Sequence, residues 1–202
     1  MEIIHSERII NLKVVYYGPA LCGKTTNLNQ TFDRLKPEQR LSSKVEEVPT
    51  ESDRTLKYEF VPLTIGRIGG YQAQFRVYTV PGQVFYEASR KLILKSVDGV
   101  VFVADSQKGK ESENIASLAE LERNLAMQNV RLYEDVALVL QFNKQDSEDA
   151  MSIGEMAAVL QKSDAPCFAA AAVTGDGVME TFQAIIRMTV ANINMERPQI
   201  KV

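Results

Sequence analysis

Four short, nearly unbroken apolar runs stand out along the chain, at residues 12–17, 99–104, 136–142 and 167–173. Runs of that length without polar alternation predict strands covered on both faces, as in a parallel sheet. Between them the period changes to that of a helix. Leu28, Phe32 and Leu35 recur at helical spacing, as do Ile115, Leu118, Leu121 and Leu125, and again Val178, Phe182, Ile185 and Thr189. Ser152 followed by Glu155 reads as a capping box at the head of a helix carrying Met156 and Leu160. Residues 56–68 and 71–80 are strand-like and meet at Gly69-Gly70, a two-glycine hairpin signal. The four runs and the two hairpin strands predict an α/β fold: a mainly parallel six-stranded sheet with one antiparallel edge strand and helices on both faces. Residues 36–55, with Pro37 and Pro49, show no period and predict a long loop, of the kind that is either functional or disordered.

Composition narrows this without changing it. The 202 residues, 45% hydrophobic and 24% charged, suit one globular domain over residues 1–202, with 192–202 as a C-terminal tail. Cys22 and Cys167 have no framework spacing and read as reduced thiols of a reducing compartment. A net charge of −3 gives no electrostatic reason to expect nucleic acid, and the basic residues are too interspersed to form a membrane-binding patch. No charged apolar leader, membrane-length apolar run or lipidation signal is visible. The expectation is a cytoplasmic protein with no integral membrane segment.

Chemistry enters at Gly18-Pro19-Ala20-Leu21-Cys22-Gly23-Lys24-Thr25, which fits the phosphate-binding loop pattern between a buried-type strand and a helix. Glycines let backbone N–H groups close around phosphates, and the helix dipole adds positive potential. Gly18, Ala20, Leu21, Cys22, Gly23, Lys24, Thr25 and Thr26 are the candidate contacts. Lys24 reaches the β and γ phosphates and Thr25 ligates Mg²⁺. Directly after the run 136–142 stands Asn143-Lys144-Gln145-Asp146. The Asp146 carboxylate can accept two hydrogen bonds from guanine N1 and N2, a pair that adenine cannot supply. Downstream, Ala171-Ala172-Val173-Thr174-Gly175 ends the next run, where the Ala172 N–H could read guanine O6 beside Val173. Close packing explains an alanine run equally well. Cys22 is read as packing rather than as a redox thiol, and His5 has no companions at metal-ligand spacing.

Thr79-Val80-Pro81-Gly82-Gln83, taken with the phosphate loop, Thr50-Glu51-Ser52-Asp53-Arg54-Thr55 and Ala88-Ser89-Arg90-Lys91-Leu92-Ile93-Leu94-Lys95, resembles the MglA-type bacterial small GTPases of the Ras-like superfamily. The similarity spans residues 11–190. It implies the P-loop small GTPase fold and a switch that binds GTP or GDP with Mg²⁺ and hydrolyses GTP, slowly when alone. It also implies a regulator of cell polarity and gliding motility, recruited to a cell pole through partners. Those partners would be an MglB-like roadblock-domain homodimer that accelerates hydrolysis, and polarity or motility effectors that bind the GTP form. On the same terms Gln83 orients the attacking water, Gly82 and Thr55 close on the γ-phosphate, and Thr25 and Thr55 hold the metal. Arg54 is the candidate arginine finger, supplied in cis.

Two departures qualify the resemblance. Thr79 stands where the wider Ras-like pattern has an aspartate that holds the Mg²⁺ shell, a substitution the MglA type shares. Ala20 stands where many relatives have glycine, and its methyl crowds an arginine entering from a partner. Together they leave one alternative, a nucleotide-bound polarity scaffold with negligible turnover, against which Gln83 and Arg54 argue.

Overall fold

The computed structural model describes residues 1–49, 57–81 and 87–196. Along the chain these form β1 (Glu2–Ile4), β2 (Ile9–Tyr17), α1 (Lys24–Arg34), a 3₁₀ turn (Pro37–Gln39), β3 (Glu46–Pro49), β4 (Lys57–Ile68) and β5 (Tyr71–Thr79). There follow α2 (Glu87–Leu94), β6 (Gly99–Asp105), α3 (Glu111–Ala126), β7 (Ala137–Asn143), α4 (Ile153–Leu160), β8 (Cys167–Ala169) and α5 (Val178–Glu196). The strands make one sheet in the order β3-β4-β5-β2-β6-β7-β8, with β1 beside β2. From β5 to β8 every pairing is parallel, while β4 runs antiparallel to β5.

All six expected strands form, and two short ones join them. β6 pairs with β2 only from Val14 to Tyr17, so the first half of β2 has an open edge, and β1 fills it by pairing antiparallel with residues 9–11. β3 adds outside β4, within the stretch expected as loop, and is too short for its alternation to register in the sequence. The Gly69-Gly70 turn has φ of 56° and 81°, both in the left-handed region that a two-residue hairpin needs. β8 is shorter than its apolar run: after Ala169 the chain turns, and Ala170, Ala171 and Ala172 are buried as loop rather than as strand. Their hydrophobicity records burial, not extended structure.

Two apolar layers hold the sheet. Leu28 and Phe32 of α1 and Phe182 and Ile185 of α5 pack on one face against Leu12, Val14 and Phe75. On the other, Ile93 of α2, Leu118, Leu121 and Leu125 of α3, and Met156 and Leu160 of α4 pack against Val15, Phe102 and Leu140. Each such large side chain contributes about 1.5–3 kcal/mol on burial. β6 and β7 are buried along their whole length, which explains their unbroken apolar runs. Ile115 departs from the expected stripe of α3 and is 47% exposed. Leu35 keeps its burial from an extended C-cap just beyond α1. The α4 capping box forms as expected, with Ser152 N–H donating to Glu155 at 2.8 Å and Glu155 N–H to Ser152 Oγ at 3.3 Å. α5 continues to Glu196, so helix occupies residues 192–196 of the segment expected as tail.

Candidate functional site

The strands β2, β6 and β7 all end at the same edge of the sheet, and the candidate residues gather in the loops that leave it. Such an edge, outside the carboxyl ends of parallel strands, is where α/β sheets bind ligands. The loop between β2 and α1 is shaped by two close approaches. A Cβ on Gly18 would collide with the Val103 carbonyl, and one on Gly23, whose φ is 99°, would collide with the Asn143 side chain. Inside the loop the Lys24 ammonium donates to Gly18 O at 3.1 Å and Pro19 O at 2.6 Å, with the residue only 6% exposed. Leu21, at φ 60°, is exposed.

α1 begins at Lys24 with no side-chain cap and no acidic residue in its first turn. Its leading N–H groups therefore keep their positive end open towards the cleft, unlike α4, whose Ser152 and Glu155 close the helix end. Thr25 is exposed and Thr26 half-buried on this turn. Ala20 is half-buried in the loop. Cys22 is fully buried, and burial pushes its thiol pKa up despite the Lys24 ammonium beside it, which keeps the sulfur protonated and supports the packing reading.

Asn143, at the end of β7, joins the two halves of the cleft. Its Nδ2 donates to Cys22 O at 2.8 Å, and its Oδ1 accepts the Ala172 N–H at 2.9 Å. The side chain is thus a bracket between the phosphate loop and the loop after β8. The Ala172 N–H, expected at guanine O6, is shared with this bracket. Next to it Val173 is 67% exposed, and its N–H donates to no acceptor among the described residues. Lys144, at φ 68°, donates to Asp105 Oδ2 at 2.6 Å and to Gln107 Oε1 at 3.1 Å. Gln145 ties its own loop down through N–H to Ala170 O and Nε2 to Met151 O, each at 3.0 Å. Asp146 is exposed and accepts no hydrogen bond from the described residues.

These groups line one cleft of about 310 Å³, with Leu21, Gly23 and Thr26 on the phosphate-loop side and Asn143, Lys144, Asp146, Ala172 and Val173 on the other. Gln107 and Ser147 complete it. Asp105 and Gln107 were not singled out by the sequence. Their signal is Asp105 itself, the first charged residue after the apolar run of β6, 3% exposed and braced by Asn114. Arg90 was also missed as a contributor. It is 3% exposed on α2, pairs with Glu120 of α3 at 2.6 Å, and donates to the Pro81 carbonyl at 3.1 Å. Beside that pair, burial and the Glu120 carboxylate push the Tyr17 phenol above its ordinary range.

Thr79 ends β5, 4% exposed, with its neighbour Tyr16 across the parallel pairing. Arg54, Thr55, Gly82 and Gln83 lie outside the described residues. Among the described residues no cluster of three or more His, Cys, Asp or Glu side chains could cage a metal ion, and no helix is long and apolar enough to cross a membrane.

The sequence profile of the ADP-ribosylation factor family matches residues 4–189. The chain is also 47% identical, over 191 residues, to the mutual gliding-motility protein MglA of Myxococcus xanthus strain DK1622, a match covering 95% of this chain and 96% of that protein.

Proposed function

The chain belongs to the ADP-ribosylation factor family and is a GTP-binding switch resembling MglA; from that premise we propose which of its residues operate the switch. The phosphates lie against the loop 18–23 and the uncapped start of α1, where backbone N–H groups and the Lys24 ammonium meet their charge. The base lies at the Asp146 end, with the carboxylate accepting guanine N1–H and N2–H. The carrying observation is that Asp146, an exposed carboxylate with no protein donor among the described residues, shares one cleft with Gly23 and Thr26. Asn143 acts one layer behind, keeping the two loops in register, and Asp105 keeps Lys144 alongside the base.

Members of small GTPase families hydrolyse GTP, and catalysis here falls to Gln83, which orients water, and Arg54, which stabilises the charge spreading over the γ-phosphoryl oxygens. Thr55 and the Gly82 N–H answer the γ-phosphate, so the two states differ around them. Arg90 ties Pro81 to α3 through Glu120. The chemistry of the donors suits a Mg²⁺ carried mainly by the nucleotide: Thr25 offers an exposed hydroxyl, Thr55 is the second hydroxyl expected from the sequence, and Thr79 takes the place of a carboxylate. When bound, the ion neutralises charge on the β and γ oxygens. The named relative's role in gliding motility supports a role in polarity or motility for this chain. It would work from the cytoplasm, recruited to a cell pole through partners, with an MglB-like roadblock homodimer accelerating a slow basal turnover and effectors reading the GTP form.

Single-turnover GTP hydrolysis, with and without such a roadblock partner, tests this. The expected result is slow basal hydrolysis, roughly 10³-fold acceleration by the partner, and near-normal GTP binding with lost acceleration in Arg54→Ala and Gln83→Leu. No turnover even with the partner would favour the scaffold alternative. Full acceleration of Arg54→Ala would overturn the cis arginine.

A further inference from the structure

The loop after β8 is held from a direction that the site itself does not use. On the outer turns of α1, one helical turn apart, Gln30 and Arg34 hydrogen-bond to each other. Arg34 Nη2 also donates to Thr174 O at 3.0 Å, and Gln30 Nε2 to Val173 O at 3.4 Å. The Arg34 guanidinium lies against Gly175, where any Cβ would collide with it. From the cleft side the Ala172 N–H is fixed by Asn143. The single peptide unit between Ala172 and Val173 is therefore anchored at both ends, by Asn143 before it and by Gln30 after it. Its N–H has no protein acceptor among the described residues, and it borders the cleft beside Asp146.

We propose that Arg34 and Gln30 are positioning residues for guanine recognition, fixing the Ala172–Val173 peptide unit from the back of α1 so that its N–H meets guanine O6. The inference rests on the assignment of the base to this cleft. It makes α1 serve the nucleotide at both ends: its first turn faces the phosphates and its last turns hold the loop that reads the base. Both residues lie at the surface of α1, so replacing them removes the brace while Leu28 and Phe32 keep the helix packed. An exposed hydrogen bond has a small net strength, so the effect is several-fold rather than total.

The test compares dissociation of GDP, 6-thio-GDP and inosine diphosphate from the parent, from the double variant Arg34→Met/Gln30→Leu, and from Arg34→Lys. Sulfur in place of O6 weakens the acceptor, whereas inosine keeps O6 and loses only the amino group that Asp146 reads. In the parent, 6-thio-GDP leaves faster than GDP. In the double variant GDP leaves about 3- to 10-fold faster, the gap between GDP and 6-thio-GDP closes, and the GDP-to-inosine ratio holds. Arg34→Lys, which can still reach Thr174 O, recovers part of the gap. The proposal is overturned if the parent does not distinguish sulfur from oxygen. It is also overturned if the double variant keeps the parent's gap, or releases all three nucleotides faster by one common factor. A parent that holds ADP as well as GDP would overturn the assignment of the base to this cleft, before any variant is compared.

Discussion

At the end of the cleft proposed for the phosphates Lys24, Cys22 and Asn143 are all buried, whereas at the end proposed for the base Asp146 and Val173 stand exposed and the Lys144 side chain is 31% exposed. The first end is made from the fold itself. Its glycines are there because Val103 and Asn143 approach, and its lysine satisfies the backbone around it. The second end is made from side chains and peptide units presented on loops that other residues hold in place. Changes at the phosphate end should therefore damage affinity for every nucleotide together with stability. Changes at the base end should alter which nucleotide is preferred and leave the fold alone.

The largest effect expected is at Asp146. Asp146→Asn should change the preference for guanine over xanthine nucleotides by about 10³–10⁴, with thermal stability unchanged, measured by competition binding. A variant that lost all nucleotides equally would erase the distinction between the two ends. Lys24→Met should do what Asp146→Asn does not, weakening GDP and inosine diphosphate alike by about 100-fold, because a buried charge-assisted donor is lost without regard to the base. Asn143→Ala sits at the boundary. It leaves Cys22 O and the Ala172 N–H without partners, at about 1–3 kcal/mol each, so calorimetry should show lost stability while binding shows both affinity and selectivity reduced.

Smaller effects sharpen the contrast. Asp105→Asn removes the partner of a part-exposed lysine, and should lower guanine affinity a few-fold at a stability change of about 1 kcal/mol or less. Lys13 lies outside both ends and acts as a control. Burial holds its ammonium down to about 8, with Asp98 opposing and Arg76 adding to the depression. Between about 8 and 10.5 this lysine is then protonated more in the unfolded chain than in the folded one, so its contribution to stability rises with pH across that window. Lys13→Met should flatten this rise in denaturant melts and leave nucleotide selectivity untouched.

The two ends also differ in how far the sequence discloses them. The phosphate loop is contiguous, so spacing alone identifies Gly18, Gly23, Lys24 and Thr25, and the flanking apolar and helical patterns supply its context. Asp146 is legible for the same reason, as the end of a short run after β7. What the sequence does not disclose are the partners that only folding brings near. Asp105 lies 39 positions from Lys144, Glu120 lies 30 from Arg90, and Cys22 lies 121 from Asn143. Asn143 is expected at the nucleotide from the motif it opens, and folding engages its amide on both sides with backbone groups. The alanine run after β8 reads as strand because burial and extension leave the same apolar trace. β1 and β3 are shorter than the period needed to recognise them.

The claim on which the rest depends is that one cleft takes phosphate at the α1 end and guanine at the Asp146 end. Equilibrium affinities of the parent protein for GTP and ATP, measured under the same Mg²⁺ concentration, test it most directly. Both nucleotides bring the same triphosphate to Lys24, so only the base end can separate them. GTP should bind more tightly than ATP by a factor approaching about 10⁴. Affinities within about tenfold of each other would contradict the account, because a base end built around the Asp146 carboxylate cannot treat the two bases alike.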